Sequence, residues 1–338
     1  MNELAQAVAR VVTAPDGSRS KHAFDRLKRV QVPYLGLLLL AAGAPMLGLY
    51  PAFGMKVLCF ALFACAFNVL LGFGGLLSFG HAAFFGIGAY VAGWVVKAHG
   101  WTPEAAIASG VLAAALLGLV FGLLAIGRQG IYFAMITLAL AQMVYFVILQ
   151  TPAMGGEDGL QGVPRGSLLG VVPLGSDLVM YYVVLAVFVA CYLGIRRIVT
   201  SPFGQVLTMI RENEARAVSL GYEVNKYKLL AIVLSAGLTG LAGALKTLVM
   251  GFVTLADIHW SMSGEVILMN LLGGVGTFFG PVLGGAIVIS LQDLLADKVG
   301  AWVTVITGAI FMVCVLLFRK GIVGEWLAWQ SRRSREKA

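Results

Sequence analysis

Residues 72–91 read GFGGLLSFGHAAFFGIGAYV, and this stretch decides the class of the fold. Six of its twenty residues are glycine, one histidine lies in the middle, and apolar runs flank it on both sides. Glycine weakens helices in water, but small residues let helices approach each other closely inside a bilayer. The stretch therefore predicts a helix break, followed by a helix that packs tightly within a membrane bundle.

The composition of the whole chain agrees with a membrane protein. Hydrophobic residues make up 59% of the 338 positions and charged residues 12%, whereas soluble domains carry about 25% charged residues. Apolar runs long enough to cross a bilayer recur along the chain, and such runs must be helical because lipid cannot satisfy an open backbone. We predict an all-α, polytopic transmembrane bundle of about eight to ten spans, with broken or re-entrant glycine-rich segments. The predicted spans lie near 33–50, 53–72, 78–96, 105–126, 131–149, 177–195, 229–250, 264–277, 280–297 and 301–318. The region 264–297 is either two of these spans or a pair of half-helices.

The basic residues predict the orientation of the chain. If the spans alternate, 19 of the 24 Lys and Arg residues fall on one side and four on the other, with Lys246 inside a span. Basic residues favour the cytoplasmic side, so we expect both termini in the cytoplasm. The net charge of +8 then requires no nucleic-acid partner.

The same pattern divides the chain into segments. Residues 1–32 are basic and too long for the n-region of a cleaved signal, and within them 19–32 form either a helix on anionic membrane lipid or a solvated tail. The transmembrane domain covers 33–318, and a basic cytoplasmic tail covers 319–338. Within the domain, 150–176 is the long outer loop and 196–228 the long, charged cytoplasmic loop.

Catalytic and metal-binding motifs are absent from the sequence. It contains no phosphate-binding loop, no H-E-x-x-H and no C-x-x-C, so we expect no enzyme activity, no cofactor and no metal. The four cysteines all lie in apolar runs and suit buried packing positions. Two rival classes stay open: an ion-driven carrier, which would need buried acidic groups in its spans, and a membrane enzyme, which would need a catalytic constellation.

The first glycine-rich stretch offers a candidate substrate pathway. A helix that starts inside the membrane presents free N–H groups, which suit a carboxylate, and Ser78 is placed to cap that start. His81 follows one turn later and is either a neutral structural residue or a pathway residue. Close helix packing without any substrate contact is the alternative for the whole stretch.

Other residues inside the spans complete this candidate pathway. Asn68, Gln142 and Asn270 either hydrogen-bond across helices or contact substrate. Phe84, Phe85 and Phe279 are candidate apolar walls. We expect Lys246 and Glu265 to snorkel towards the outer interface. Asn68 to Gly80 also echoes Asn270 to Gly280, which indicates either an internal repeat or a chance match of two glycine-rich segments.

The cytoplasmic segment 201–231 has the composition of an amphipathic docking element. Its apolar residues can form one stripe with charged residues interleaved, which suits insertion into a partner's groove, while a solvated loop is the alternative. Gly221 is a candidate helix terminator. The stripe consists of Val206, Leu207, Ile210, Ala217, Val218 and Leu220.

The sequence resembles the permease subunits of branched-chain amino acid ABC importers. The resemblance rests on GFGGLLSFGHAAFFGIGAY (72–90), MGGEDGLQGVPRG (154–166), the segment 201–245 and NLLGGVGTFFGPVLGG (270–285). It implies a non-enzymatic translocation subunit in the inner membrane of a bacterium. Its implied partners are a second related permease, two cytoplasmic ABC ATPase subunits and a periplasmic substrate-binding protein. The resemblance favours a branched-chain or other apolar amino acid as the substrate. The same family includes permeases for urea and short amides, which are the alternative substrates.

The resemblance also implies which residues couple the chain to the ATPases. The general importer motif has E-A-A, with a glycine six residues after the glutamate. This chain has Glu214-Ala215-Arg216-Ala217 instead, and Gly221 lies seven residues after Glu214. The implied coupling residues are Gly204, Arg211, Glu212, Asn213, Glu214, Arg216 and Gly221.

Overall fold

The structure is a computed structural model. It describes residues 50–317 apart from 129, 169 and 171, together with 321–325 and the isolated positions 43, 45 and 48. The predicted segments 1–32, 33–50 and 319–338 lie largely outside these described residues.

The described residues form a helical bundle with very short strands. The helices are α1 Pro51–Asn68, α2 His81–His99, α3 Pro103–Ala125, α4 Ile131–Leu149, α5 Asp177–Thr200, α6 Pro202–Glu212, α7 Glu214–Ser219, α8 Val224–Met250, α9 Trp260–Gly273, α10 Gly280–Val299 and α11 Val303–Leu317. The strands are β1 Leu160–Gln161, β2 Ser167–Leu168, β3 Val172–Pro173 and β4 Phe252–Val253. Short 3₁₀ turns cover Pro152–Met154, Gly156–Asp158, Leu255–Asp257 and Gly300–Trp302, and a π-turn, Val69–Phe73, extends α1.

Proline and glycine set several helix ends. Pro51, Pro103 and Pro202 occupy the first turns of α1, α3 and α6, where a missing N–H costs nothing. Gly100 and Gly251 follow α2 and α8 in the left-handed conformation that stops a helix. These ends agree with the span positions predicted from hydropathy to within a few residues.

Five helices in the described residues are long and apolar enough to cross a membrane: α1 with its π-turn, α3, α4, α5 and α8. The apolar part of α10, Gly280–Ala296, is shorter. The predicted all-α polytopic bundle is therefore confirmed, while the total of eight to ten spans stays a prediction.

The centre of the bundle is built from α1, α2 and α8. Most residues of α1 and α2 are buried, and α8 is buried along most of its length. By contrast, α3, α4 and α5 carry exposed apolar side chains such as Leu116, Met143 and Leu193. This distribution is expected when the outer helices contact lipid and the inner ones contact only protein.

The contacts at the helix ends separate two sides of the bundle. Pro103 at the start of α3 lies against Gly166, and Gly122 near its end lies against Leu229 at the start of α8. Since α3 is about 34 Å long, the 150–176 loop and the α6–α7 segment lie at opposite ends. At the loop end, β1 pairs antiparallel with β4, and Arg165 donates to the carbonyl of Val249 at 3.0 Å.

Candidate functional site

Two breaks in the helices meet at the α6–α7 end of the bundle. We name residues 74–80, between α1 and α2, the first break, and residues 274–279, between α9 and α10, the second break. Gly75 and Gly276 adopt φ angles of 70° and 77°, a conformation that favours glycine. A Cβ added at Gly72, beside the first break, would lie 2.7 Å from the backbone nitrogen of Gly276. The π-turn that leads into the first break is therefore in direct backbone contact with the second break.

Two asparagines hold these breaks in place. The side chain of Asn68 donates to the carbonyl of Thr277 at 2.9 Å and accepts from the N–H of Gly276 at 3.0 Å. Asn270 donates to the carbonyl of Ala64 on α1 at 3.2 Å. Both residues thus form the interhelical bonds that the sequence offered as one of two alternatives, and substrate contact stays untested.

The predicted echo is visible in where the helices stop and start. Asn68 and Asn270 both lie in the last part of a helix that leads into a break, and Gly80 and Gly280 both lie where the next helix begins. This correspondence supports an internal repeat, which stays a hypothesis.

The start of α2 is capped differently from the expectation. Ser78 accepts from the N–H of Gly80 at 3.1 Å, one residue before the helix. The first turn itself is capped by Ser263 of α9, which accepts from the N–H of Ala82 and donates to the carbonyl of Phe79, both at 2.8 Å. Packing of α9 against the break brings this hydroxyl closer to the first turn, so the prediction that Ser78 is the cap is wrong.

His81 is fully buried and its proton position follows from its partners. Nε2 lies 2.9 Å from Oγ of Ser235, whose hydroxyl donates to the carbonyl of Ala66 at 2.7 Å. A hydroxyl has one hydrogen, so Ser235 must accept from His81, and the proton sits on Nε2. The edges of Phe67 and Phe84 flank the ring.

The bonds from His81 through Ser235 to Ala66 place the start of α2 inside the bundle. Ala66 precedes Phe73, the last residue of the π-turn, by seven residues. The start of α2 therefore lies beside a point about 10 Å inward from the end of the π-turn. The predicted break followed by a tightly packed helix is therefore present in the structure.

The candidate aromatic walls have different neighbours. Phe84 lies 5.1 Å from Phe121, and Phe85 stacks on Phe63 at 4.7 Å, so both are enclosed by the bundle. Phe279 instead packs beside Tyr192 of α5 at 6.4 Å. Gln142 is half-buried on α4, and its side chain forms no hydrogen bond with another described residue. These ring contacts do not bring the three phenylalanines into one wall, and their role as a pathway stays a prediction.

The charged segment between α5 and α8 folds into two short helices, α6 and α7, which we name the docking pair. The chain turns at Asn213, which is extended (φ −157°, ψ 98°) and caps α7 by accepting from the N–H of Arg216 at 3.0 Å. This turn splits the predicted stripe. Leu207, Ile210 and Ala217 are buried beneath the pair, whereas Val218 and Leu220 are 58% and 61% exposed.

Three of the implied coupling residues support this local fold. Gly204 lies so close to the backbone of Val199 that a Cβ would overlap it. Glu214 forms a 2.7 Å ion pair with Lys228, a buried residue of α8. Gly221, with φ of 86°, follows the end of α7, and its N–H donates to the carbonyl of Val218, so the predicted helix terminator is confirmed.

The remaining charged residues of the docking pair point in two directions. Glu212 and Arg216 are exposed on its surface, as are Val218 and Leu220. Arg211 is exposed along part of its side chain as well, but its Nη1 donates to the carbonyl of Gly72. The exposed surface of the docking pair therefore combines charged and apolar side chains, and one of its arginines is bonded to the π-turn.

The expectation that Lys246 snorkels is wrong. Its side chain is buried and forms a 2.7 Å ion pair with Asp257, also buried, which itself accepts from the N–H of Thr254 at 2.9 Å. No local sequence pattern indicates this pair, because Asp257 lies in a loop beyond the end of α8 and is brought back by folding.

Comparisons with known proteins agree on one family. A family model described as branched-chain amino acid transport system, permease component, matches residues 52–316. The high-affinity branched-chain amino acid transport system permease protein LivM of Escherichia coli K12 is 27% identical over 253 residues, 68% of this chain and 60% of that protein. The L-arabinose ABC transporter permease AraH of Azospirillum brasilense is 30% identical over 203 residues, 56% of each chain.

A further match is also a transport permease. The autoinducer 2 import system permease LsrC of Klebsiella pneumoniae is 29% identical over 154 residues, 44% of this chain and 42% of that protein. The chain spans 60% of the length of the LivM proteins it matches from Escherichia coli and Salmonella typhimurium. No solved structure matches the chain significantly.

Proposed function

The chain belongs to the branched-chain amino acid transport permease family, and from this membership we propose that it is the membrane translocation subunit of an ABC importer. In this proposal it pairs with a second related permease and works by alternating access. Two cytoplasmic ATPase subunits supply the energy, and a periplasmic binding protein delivers the substrate. The chain itself performs no chemistry, because transport requires only that its helices rearrange.

The family match over residues 52–316 is the observation that carries the proposal. The docking pair supports it from the structure. It presents Val218 and Leu220 together with the exposed charged residues Glu212 and Arg216 on two short helices rather than on an extended loop. A short amphipathic element of this kind suits the groove of a partner protein.

We infer that the substrate is a branched-chain or other apolar amino acid. The LivM proteins of Escherichia coli and Salmonella typhimurium each align with 68% of this chain, whereas the arabinose permease aligns with 56% and the autoinducer permease of Klebsiella pneumoniae with 44%. Urea, short amides and sugars are the alternatives. Uptake of radiolabelled leucine into vesicles with the cognate binding protein, competed by isoleucine, urea or arabinose, separates them. Competition by arabinose or urea but not isoleucine would reject the amino acid.

The candidate pathway is proposed around the start of α2, where Ser78 and His81 lie inside the bundle. The remaining candidates are Asn68, Gln142, Asn270, Phe84, Phe85 and Phe279. Unchanged concentration dependence of uptake in Ser78→Ala and His81→Ala variants would remove these two residues from the pathway.

The test of the main proposal is purification of the tagged chain from its native membrane, followed by mass spectrometry. We expect a phosphate-loop ATPase and a second permease to accompany it. In a Leu220→Asp variant the ATPase should be lost, because a charge replaces an exposed apolar contact. Ser219→Asp is the matched control, since it adds the same charge at the neighbouring exposed position and removes no apolar surface.

Two results would contradict the proposal. One is a wild-type chain that is recovered alone and transports substrate in liposomes without ATP, which would indicate a secondary carrier. The other is equal recovery of the ATPase with Leu220→Asp and Ser219→Asp, which would exclude the docking pair as the contact.

A further inference from the structure

We propose that Arg211 is a positioning residue that carries movement of the docking pair to both helix breaks at once. The inference rests on the proposed function, since it needs an ATPase on the other face of the docking pair. It assigns to Arg211 a role different from binding the ATPase.

One side chain contacts the region where the two breaks meet. The guanidinium of Arg211 donates from Nη1 to the carbonyl of Gly72, in the π-turn that leads into the first break. The same Nη1 lies 3.2 Å from the position that a Cβ of Gly276 would occupy, in the second break. Cγ of Arg211 lies 2.7 Å from the position of a Cβ at Gly75. The stem and head of the arginine thus fill the space that two glycines leave open.

The π-turn explains why a carbonyl is available to Arg211. The amides of Gly74, Gly75 and Leu76 return to the carbonyls of Val69, Leu71 and Leu70, after which the chain leaves the helix. A continuing helix would supply amides to the later carbonyls, and the break removes them. The charged guanidinium takes their place at Gly72, and hydrogen bonds to charged donors are stronger than those between neutral groups.

Asn68 links the second break to the helix that leads into the first break. This residue lies on the last turn of α1 and bonds to both Gly276 and Thr277. Leu207 of α6 adds an apolar contact, with Cδ1 3.7 Å from the position of a Cβ at Gly74. A shift of α6 would therefore reach the segments that begin α2 and α10 through contiguous contacts.

This geometry separates coupling from docking. Leu220 faces outward, so its replacement should prevent association of the ATPase. The guanidinium of Arg211 is instead engaged within the chain by the carbonyl of Gly72, so its replacement should leave association intact and break the transmission.

The experiment uses the complete transporter reconstituted in liposomes with its ATPases and binding protein. Arg211→Met is compared with Arg211→Lys, which keeps a charged donor, and with Arg128→Met, the same substitution at an exposed arginine on the same end of the bundle. The readouts are recovery of the ATPase subunits, basal ATP hydrolysis, its stimulation by loaded binding protein, and substrate transported per ATP.

We expect Arg211→Met to retain the ATPase subunits. Its stimulation of ATP hydrolysis by loaded binding protein and its transport per ATP should each fall about tenfold. Arg211→Lys should recover part of both, because an ammonium can still donate to the Gly72 carbonyl. Arg128→Met should behave as wild type. Wild-type stimulation in Arg211→Met overturns the inference, and so does loss of the ATPase subunits from a folded Arg211→Met, which would make Arg211 a docking contact.

A second measurement covers the case in which Arg211→Met does not fold. Hydrogen exchange of the wild-type complex, with and without nucleotide, should change together in peptides covering 72–80 and 274–280. Unchanged exchange in both peptides overturns the inference. Failure to recover any ATPase with the wild-type chain would instead reject the proposed function, so the two failures are distinguishable.

Discussion

At the scale of single residues, the buried charges of this chain are neutralised by specific partners. Lys246 pairs with Asp257 near one end of the bundle, and Lys228 pairs with Glu214 near the other. Removing a charge from water costs several kcal/mol, which a close partner and further hydrogen bonds offset. Each pair also joins a loop or short helix to α8, so it fixes the position of that element.

The Lys246–Asp257 pair gives a prediction about stability. We expect Lys246→Met to lower the unfolding free energy by about 3–5 kcal/mol, because the carboxylate of Asp257 is then buried without its partner. The double variant Lys246→Met, Asp257→Asn should recover part of the loss, since the introduced amide carries no charge and its oxygen can still accept from Thr254. Thermal unfolding of the detergent-solubilised protein measures both.

An exposed pair provides the control for this prediction. Lys226 and Glu223 form an ion pair in which the Lys226 side chain is 79% exposed, so Lys226→Met should cost less than about 1 kcal/mol. Equal effects of Lys246→Met and Lys226→Met would show that burial of the Lys246 pair does not stabilise the fold.

At the scale of helices, glycine decides how closely the central elements pack. A Cβ at Gly88 of α2 would lie 2.5 Å from Cα of Gly240 on α8, and a Cβ at Gly110 of α3 would lie 2.6 Å from the carbonyl of Gly88. Three helices therefore meet backbone to backbone. In lipid, such close contact is a main source of attraction between helices, because apolar side chains gain little by leaving the bilayer.

Alanine substitutions at two glycines of α8 separate the effect of close helix packing on stability from the effect of helix propensity. A Cβ at Gly240 would overlap the Cβ of Ala114, whereas a Cβ at Gly237 would meet Ala115 at an ordinary 3.7 Å. We expect Gly240→Ala to destabilise the protein by about 1–3 kcal/mol through overpacking. Gly237→Ala should be neutral or stabilise by up to about 1 kcal/mol, since alanine favours the helix.

Thermal unfolding of the two α8 variants under the same detergent conditions checks this prediction. A Gly240→Ala protein as stable as Gly237→Ala would mean that α3 and α8 can separate without loss, and close glycine packing would then not hold the centre together.

At the scale of the whole molecule, the bundle has two distinct ends. The 150–176 loop, β4 and the Lys246 pair occupy one end, and the docking pair with the two helix breaks occupies the other. Arg128 lies beyond α3 at the docking-pair end. The distribution of basic residues predicts that this end faces the cytoplasm.

Cysteine labelling tests that orientation. In a chain whose four cysteines are replaced by alanine, we introduce Glu157→Cys at one end or Arg128→Cys at the other, both at exposed positions. A membrane-impermeant maleimide applied to spheroplasts should label the cysteine at 157, and should label the one at 128 only after permeabilisation. The reverse pattern would invert the proposed topology and place the docking pair outside the cell.

The sequence by itself determined the class of the fold and most helix positions. Hydropathy locates each long helix because a bilayer accepts only apolar segments whose backbone is bonded internally, a condition that each segment satisfies alone. Turn chemistry is equally local, and it correctly placed the helix break after Gly72 and the end of α7 at Gly221.

Only the tertiary structure decided which side chains meet. Ser263, not Ser78, caps α2, Asp257 neutralises Lys246, and Arg211 donates to the carbonyl of Gly72. The chain positions of Ser263 and Ala82 differ by 181 and those of Arg211 and Gly72 by 139, so no local pattern records either contact. Such partners are set by how the helices pack, and packing depends on all of the elements together.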